Sequence, residues 1–439
     1  MSAQPKIIVL DDDPTGSQTV HSCLLLLQWD VDTLLQGLRD ESPIFFILTN
    51  TRARSPEAAE SVTREVCQNL KQAIAQAGVE DFLVVSRSDS TLRGHYPIET
   101  DAIAEELGPF DAHFLIPAFF EGGRITRDST HYLMVDGTPV PTHETEFAKD
   151  SVFGYSTAYL PDYAEEKTQG RISASSVERF TLADIRAGSL ERLMTLENDL
   201  CCAVDGESQA DLNQFAQDLL MAASQGKRFL FRSAASILTA LAALPPQPVD
   251  ADHMRTYVRQ GKPGVVLVGS HVQKTTRQLQ ALLQEPGVTG IEVDVRQLRD
   301  GGADAHQQLL NLVLNQVQEA HARGKTPAVY TSREELTFDS VQARLAFGVE
   351  VSSLLMDIVK GLPSDIGFLI SKGGITSNDT LSTGLALRTA RLLGQILPGV
   401  SIVRTPAHHP QFPHLPVVLF PGNVGDDDAL ATAYKRLAE

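Results

Sequence analysis

The stretch KIIVLDDDPTG, residues 6–16, carries the pattern that decides the fold. Four apolar residues end in three consecutive carboxylates, Asp11, Asp12 and Asp13. The apolar run predicts a buried β-strand, and the Pro-Thr-Gly sequence after the acids predicts a turn. One aspartate would suit a turn or a helix cap. Three adjacent acids repel one another, so we interpret them as functional.

The same alternation continues through the first third of the chain. Apolar runs predict strands over Ile44–Leu48, Phe82–Ser86 and His113–Pro117. Between them, helical periodicity predicts helices over Ser55–Ala77 and Pro97–Leu107. Strands that alternate with helices predict βαβ units and a mostly parallel sheet.

Each of the later strands also ends in polar, chemistry-bearing sequence. The three segments are TNTRARS (49–55), SRSDSTLRG (86–94) and PAFFEGGR (117–124). Ligands of open α/β sheets bind beyond the carboxyl ends of the strands. The four strand ends together therefore predict a binding site.

Two of these segments contain arginines suited to an anionic ligand. Arg93 offers a planar fork for a carboxylate or phosphate, and Asp89 and Ser90 offer partners for hydroxyl groups. Arg124 follows two glycines, and in isolation that segment is typical of a flexible turn with a solvent-facing arginine. The alternative for the Asp89 segment is a solvated loop.

A second α/β alternation begins after the proline-rich segment Leu244–Met254, which we interpret as a linker. Three glycine-rich turns in it follow predicted strands: LVGSH (267–271), ISKGGITSND (370–379) and FPGNVGDDDA (420–429). Such turns let backbone N–H groups surround phosphates, so they predict nucleotide binding. Neither a P-loop nor a strand-linked GxGxxG fingerprint is present.

The predicted fold class is α/β, with two α/β domains, mainly parallel sheets and an active-site cleft between the domains. We place the first domain at residues 1–243 and the second at 255–439. Residues 125–203 are polar and rich in turns, and we interpret them as an excursion that acts as a lid or a dimer arm, so a homodimer is one expected assembly. A helix is expected over Thr380–Leu393.

Composition narrows the classes of function. The 439 residues carry a net charge of −18, which argues against nucleic acid or an anionic membrane surface as the main partner. We see no transmembrane run and no signal peptide, and the four cysteines lack zinc-binding spacing. The expected setting is cytoplasmic, with no metal-ligating residues of the protein's own.

Taken together, the motifs resemble those of the four-carbon acid sugar kinases. A DDxTG signature is matched by Asp12, Asp13, Thr15 and Gly16, and the DSTLRG element runs from Asp89 to Gly94. A further element is matched by Pro117, Ala118, Gly123 and Arg124. In the second half the matches are Gly269–Ser270, then Gly373, Gly374 and Thr376, and finally Pro421, Gly422, Asn423 and Gly425.

The resemblance implies an acid-sugar-binding domain, a nucleotide-binding domain, and transfer of the γ-phosphoryl group of ATP to a terminal hydroxyl. It implies that Arg93 and Arg124 hold the substrate carboxylate. It implies that hydroxyls are held by Asp12, Asp13, Asp89 and Ser90, with Asp12 as the base. ATP, with Mg²⁺ bridging its phosphates, would be held by Ser270, Gly373, Gly374, Ile375, Thr376, Gly422, Asn423 and Gly425.

Several positions depart from that family pattern. Arg87 stands where a lysine is usual, and Asp11 and Pro14 replace an alanine and a larger apolar residue. Asp11 therefore lies outside the shared signature, and we expect it to have a structural or branch-specific role.

Two other kinds of function stay open at this point. One is a non-catalytic, two-lobed sensor that binds an acid sugar. Another is an Mg²⁺-dependent aldolase or lyase, which could use acidic strand ends but would leave the glycine-rich half without a role.

Overall fold

The computed structural model describes residues 4–302, 304–333 and 336–439. The chain forms two compact units, Met1–Pro246 and Gln247–Glu439. Both alternate strands with helices. The predicted α/β class is confirmed, and the cleft between the domains stays a prediction.

The first unit contains eleven strands and eight α-helices in its described residues. The strands are β1 (Lys6–Asp11), β2 (Leu24–Leu26), β3 (Ile44–Leu48), β4 (Phe82–Arg87), β5 (Ala112–Ile116), β6 (Arg124–Arg127), β7 (Thr130–Val135), β8 (Thr138–Pro141), β9 (Glu178–Phe180), β10 (Leu200–Val204) and β11 (Phe229–Ser233). The helices are α1 (Val31–Arg39), α2 (Pro56–Ala77), α3 (Ile98–Leu107), α4 (Leu160–Lys167), α5 (Leu182–Ala187), α6 (Leu190–Thr195), α7 (Gln209–Ser224) and α8 (Ser236–Ala242).

Eight of these strands form a parallel sheet in the order β2-β3-β1-β4-β11-β5-β10-β9. Every residue of β3 and β5 is buried, as expected for strands covered by helices on both faces. The four predicted strands and two predicted helices of this region are confirmed. Because the strands are parallel, their polar carboxyl ends lie at one edge of the sheet.

Helix α2 shows how local sequence sets these boundaries. The Ser55 hydroxyl caps its first turn by accepting a hydrogen bond from the N–H of Ala58, and Pro56 occupies the first position. Gly78 ends the helix with φ of 65°, a left-handed conformation that glycine adopts without strain. The apolar face, including Val66 and Leu70, packs into the same core as Ile8 of β1.

The turn-rich segment after β5 is more structured than the sequence indicates. Strands β6, β7 and β8 form a separate antiparallel sheet, and β9 returns to the edge of the main sheet beside β10. Buried Asp205 holds this segment in place by accepting hydrogen bonds from the backbone N–H groups of Asp128, Ser129 and Leu182. The role of residues 125–203 as a lid or a dimer arm stays a prediction.

The second unit contains seven strands and six α-helices in its described residues. The strands are β12 (Val265–Val268), β13 (Val288–Val293), β14 (Thr326–Thr331), β15 (Leu369–Lys372), β16 (Thr389–Leu397), β17 (Val400–Arg404) and β18 (Pro416–Phe420). The helices are α9 (Gln273–Leu282), α10 (Val295–Asp300), α11 (Ala305–Ala322), α12 (Val341–Lys360), α13 (Gly374–Asp379) and α14 (Ala429–Ala438).

Strands of the second unit lie in the order β13-β14-β12-β15-β18-β17-β16. The first five are parallel, and β17 runs antiparallel to both β18 and β16. The carboxyl ends of β12, β14, β15 and β18 therefore share one edge.

The helix expected over Thr380–Leu393 is wrong. After a short π-helical turn over Thr380–Gly384, the chain enters β16, which pairs with β17 across a turn containing Gly399 at φ of 75°. Leu, Arg, Gln and Ala favour a helix locally, but the hairpin buries six of the nine β16 residues against neighbouring elements. Tertiary packing outweighs propensity here.

None of the helices in the described ranges is both long and apolar enough to cross a membrane. The four cysteines are all buried and free, and Cys201 and Cys202 lie side by side in β10.

Candidate active site

At the carboxyl ends of β1, β3 and β4, the predicted acid Asp12 is buried and fully hydrogen-bonded by neighbouring side chains. Asp12 is 2 % exposed, and both of its carboxylate oxygens accept hydrogen bonds from Arg52, at 3.1 Å from Nε and 2.5 Å from Nη2. The Ser88 hydroxyl donates to Asp12 Oδ2 at 2.8 Å. This fork-to-fork geometry fixes the orientation of the Asp12 carboxylate.

Arg52 also draws two other predicted acids together. Its Nη1 lies 3.4 Å from Asp13 Oδ2 and 3.8 Å from Asp89 Oδ1. Burial alone would raise the pKa of Asp13, but Arg52, Arg87 and hydrogen bonds from Thr15 outweigh it and hold that pKa below its usual value. One guanidinium therefore bridges three carboxylates and relieves their repulsion.

Asp89 is held ionised by a second arginine as well. Arg93 donates from Nε to Asp89 Oδ2 at 2.9 Å, and its guanidinium lies 5.0 Å from the centre of the Phe147 ring. Burial would raise the pKa of Asp89, but Arg52 and Arg93 dominate and hold it well below its usual value. Arg93 is thus oriented by a carboxylate on one side and an aromatic ring on another.

The two other predicted binding residues lie close by. Ser90 is buried, and its carbonyl accepts a hydrogen bond from His131 Nε2 at 2.7 Å. Arg124 donates to the carbonyl of Gly122, while its buried Nε has no partner among the residues that the structure describes. Burial lowers the pKa of Arg124, and the charge of nearby Asp89 partly offsets this. Arg124 therefore has an unused donor within the field of the acidic cluster.

Asp11 belongs to a different environment from its two neighbours. It is fully buried, and its Oδ1 lies 3.3 Å from Nη1 of Arg87. Burial raises the pKa of Asp11 to about 7, with Arg87 partly opposing the shift. Its Oδ2 has no partner in the described part of the chain. Asp11 and Arg87 both depart from the family pattern, and here they pair with each other.

A second network beneath this cluster is absent from the sequence prediction. Arg232, at the end of β11, donates to Ser86 Oγ at 2.9 Å and to Glu99 Oε2 at 2.7 Å. Gly94 has φ of +120°, and a β-carbon built there would lie 2.3 Å from Ser88 Oγ and 2.5 Å from Arg232 Nη2. Gly94 therefore lets this backbone turn approach the two side chains.

In the second unit, the three glycine-rich turns meet at the shared strand edge. The Thr275 hydroxyl lies 2.9 Å from the carbonyl of Gly422 and 3.2 Å from Ser270 Oγ. The Gly373 N–H donates to the carbonyl of Phe420 at 2.8 Å, and Gly373 has φ of +124°.

A cavity of about 770 Å³ opens beside these turns. Five of the predicted nucleotide-binding residues line it: Ser270, Gly373, Gly374, Ile375 and Thr376. Gly422, Asn423 and Gly425 are outside its lining, although Gly422 contacts the Ser270 region through Thr275. The cavity thus has a polar, glycine-rich end.

The rest of the cavity is mainly apolar, with two cationic side chains. Its apolar wall includes Phe338, Phe347 and Met356, and its charged side chains are Arg333 and Arg344. Among the described residues that line it there is no Asp or Glu, although the whole chain carries a charge of −18. Such a cavity suits a ligand with an anionic end and a flat apolar end.

Arg333 was missing from the sequence prediction, as was Arg52. Arg333 donates from Nη2 to the carbonyl of Ser270 at 2.7 Å, and its buried Nη1 has no partner within the described ranges. Burial lowers its pKa. Both arginines lie in the loops that follow strands, Arg333 two residues after β14 and Arg52 four residues after β3, and this position is the signal that could have identified them.

No group of three or more His, Cys, Asp or Glu side chains in residues 4–302, 304–333 and 336–439 is arranged to hold a metal ion. The acids at the edge of the first unit are instead neutralised by arginines.

Comparison with known proteins assigns the class. Residues 7–241 match the family model described as a sugar-binding N-terminal domain, and residues 265–430 match a nucleotide-binding C-terminal domain. The protein therefore joins a sugar-binding domain to a nucleotide-binding domain. The chain belongs to the four-carbon acid sugar kinase family.

Two curated relatives span almost the whole chain. A D-erythronate kinase of Heliobacterium modesticaldum is 24% identical over 457 residues, covering 98% of this chain and 97% of the relative. A 3-oxo-tetronate kinase of Pectobacterium atrosepticum is 24% identical over 453 residues, covering 99% of each.

Solved structures show the same fold. A Salmonella typhimurium protein superimposes with a TM-score of 0.73 at 18% identity, covering 98% of this chain and 99% of its own. A Haemophilus influenzae protein gives a TM-score of 0.66, also at 18% identity, covering 98% of this chain and 100% of its own. At this level of identity the likeness concerns the fold alone.

Proposed function

We propose that this protein is an ATP-dependent kinase that phosphorylates the terminal hydroxyl of a four-carbon acid sugar of the threonate, erythronate or oxo-tetronate type. The observation that carries the proposal is the cluster in which Arg52 bridges Asp12, Asp13 and Asp89. It lies in the unit that matches a sugar-binding domain. The names of the two relatives support the same chemistry.

The first unit offers groups for both ends of such a substrate. A carboxylate suits Arg93 and the unused Nε of Arg124, because guanidinium groups bind carboxylates through paired N–H donors. Hydroxyl groups suit Asp13 and Asp89, which stay ionised and can accept hydrogen bonds. Ser90 is proposed as a further hydroxyl partner.

The second unit offers a matching nucleotide site. The glycine turns and Ser270 are proposed to hold the phosphates of ATP, with the turn at Gly422, Asn423 and Gly425 completing that end. The apolar wall around Phe338 and Phe347 suits the base. The lack of carboxylates among the described lining residues favours a polyanion.

Phosphoryl transfer depends mainly on positioning and on neutralising charge, with a base near the attacking hydroxyl. We propose Asp12 as that base. Its Oδ2 accepts from the Ser88 hydroxyl, which shows that a hydroxyl group fits at this oxygen. A substrate hydroxyl that replaced Ser88 there would face a carboxylate whose orientation Arg52 holds.

Mg²⁺ bound to ATP would supply further neutralisation of phosphate charge. Magnesium prefers octahedral oxygen coordination and usually binds through substrate phosphates, water and one or two carboxylates.

The direct test is an ADP-release assay with ATP and Mg²⁺ across erythronate, threonate and 3-oxo-tetronate of each configuration. We expect turnover with at least one of them, and ATP should raise the melting temperature of the free protein because it binds the native state. Measurable ATP binding without turnover of any four-carbon acid would exclude the substrate assignment. Binding of an acid without any effect of ATP would favour the sensor.

The base assignment has its own test. Replacing Asp12 with asparagine should lower kcat by about 10²–10⁴-fold, since asparagine accepts hydrogen bonds but takes up no proton. Asp32→Asn, at an exposed position in helix α1, is the matched control and should leave kcat unchanged. A D12N variant with unchanged kcat and only a raised KM would remove Asp12 from the role of base.

A further inference from the structure

Lys372 is a buried amine at the centre of the second unit's strand edge. It is the last residue of β15, and its side chain is 0 % exposed. Its Nζ donates to the carbonyl of Pro421 and lies 4.1 Å from the centre of the Phe420 ring. In the part of the chain that the structure describes, no carboxylate is among the charged groups that act on it.

A buried ammonium group without a counter-ion is unfavourable, because it loses its hydration and gains no ionic partner. Burial, with a smaller contribution from Lys274 on helix α9, lowers the pKa of Lys372 to about 7. The free protein therefore holds this amine partly uncharged at neutral pH.

The surroundings of Lys372 show which partner is missing. Lys372 pairs in register with Val268 of β12 and Phe420 of β18, the strands that lead into the two other glycine-rich turns. The amine thus lies beneath the point where all three turns meet. A polyanion held by those turns is the ligand that would provide its counter-charge.

Among the described residues, the other charged groups at this edge do not provide that counter-charge. On the neighbouring loops and helices these are His271, Lys274, Arg277, Arg333, Asp379, Asp426, Asp427 and Asp428. Asp379 accepts a hydrogen bond from Ser352 at 2.5 Å, and Asp427 pairs with Arg277 at 2.9 Å. Asp426, Asp427 and Asp428 are exposed to solvent. Lys274 is the charged neighbour that acts on Lys372, and its like charge opposes protonation of the amine.

We propose that Lys372 is the buried counter-cation of the nucleotide phosphates, and that it takes up a proton from solvent when the nucleotide binds. This inference rests on the proposed nucleotide site of the second unit. To that site it adds Lys372, whose amine donates to the Pro421 carbonyl beneath the turns. It also adds the uptake of a proton when the nucleotide binds.

ATP binding is expected to be accompanied by proton uptake and not by proton release. Lys372 is largely neutral above pH 7 in the free protein and protonated in the complex, so the complex gains a proton. At pH 8 the uptake should approach one proton per ATP bound, and Kd should rise by up to about tenfold per pH unit between pH 7.5 and 9. Below pH 6 the proton uptake by Lys372 and its effect on the pH dependence of Kd should vanish, because the amine is already charged in the free protein.

The experiment is calorimetric titration of the full chain with ATP, repeated at each pH in buffers of different ionisation enthalpy. Lys372→Met should bind ATP more weakly and without this uptake, and Lys372→Arg should bind without uptake because its charge is permanent. Lys360→Met, at an exposed lysine paired with Asp357, is the control and should behave as the wild type.

The outcomes separate the two proposals. Folded wild-type protein that gives no binding heat or thermal shift with ATP would overturn the nucleotide site, and this inference with it. ATP binding with the same proton count in wild type and Lys372→Met would overturn the inference alone. If Lys372→Met fails to fold, the pH dependence of proton uptake by the wild-type protein is the test. A number of protons taken up per ATP that does not increase between pH 6 and 8 would contradict the role of Lys372.

Discussion

Replacing Arg52 with alanine is expected to lower kcat/KM by at least about 10²-fold and to destabilise the first unit by about 3–5 kcal/mol. The first effect follows because Arg52 holds Asp12 in one orientation, and a misplacement of about 1 Å at a reacting group costs on that order. The second follows because removing one partner leaves buried charge uncompensated.

Both losses are expected to be large because Arg52 contacts three carboxylates at once. Its side chain is 18% exposed, and it contacts Asp12, Asp13 and Asp89, which repel one another once it is gone. Arg52→Lys should restore much of the stability but little of the activity, because an ammonium group lacks the planar fork that binds both Asp12 oxygens.

Arg54→Ala provides the matched control for this prediction. Arg54 follows Arg52 by two residues and is exposed. Its backbone carbonyl accepts a hydrogen bond from His95 Nε2 and its backbone N–H donates to the carbonyl of Thr51, and alanine keeps both of these contacts. Steady-state kinetics and urea unfolding should show little change in R54A. An R52A variant within threefold of wild-type kcat/KM would show that the carboxylate cluster is not the substrate site.

Replacing Gly94 with alanine is the second change with a large expected effect. The backbone has φ of +120°, and the new β-carbon would lie 2.3 Å from Ser88 Oγ, 2.5 Å from Arg232 Nη2 and 3.2 Å from Asp12 Oδ2. Backbone strain and overpacking together predict a loss of about 2–4 kcal/mol in unfolding free energy. Displacement of Ser88 and Asp12 should also lower kcat.

Gly78→Ala separates backbone strain from disruption of the site. Gly78 also has positive φ, at 65°, but a β-carbon there would meet nothing within 4 Å. We expect a cost of about 1 kcal/mol and unchanged kinetics. If G94A and G78A gave equal losses of stability and both kept full activity, the close packing around Gly94 would have no functional consequence.

The sequence predicted much of the fold because α/β periodicity is a local property. The apolar run in β1, the cap at Ser55 and the glycine after α2 are each visible within a few residues. The helix expected over Thr380–Leu393 failed for the opposite reason. Its residues favour a helix locally, and only the pairing of β16 with β17 makes that segment a strand.

The sequence predicted individual residues of the candidate site, but it did not predict which of their side chains contact one another. Motifs placed Asp12, Asp13 and Asp89 at strand ends, but Arg52 lies 40 residues from Asp12 and no local pattern joins the two. The pairing of Asp11 with Arg87 spans 76 residues. Both contacts require β3 and β4 to flank β1 in register.

The sequence by itself determined the α/β class, the polar strand ends and the match to a sugar-binding domain followed by a nucleotide-binding domain. These features could be predicted because the alternation of strands and helices, the turns and the motifs each depend on residues that are close together in the sequence. Only the tertiary structure decided which charges meet. Packing the strands side by side places Arg52 among three carboxylates and, among the residues that the structure describes, buries Lys372 without a carboxylate partner. Burial and partnership depend on residues far apart in the chain.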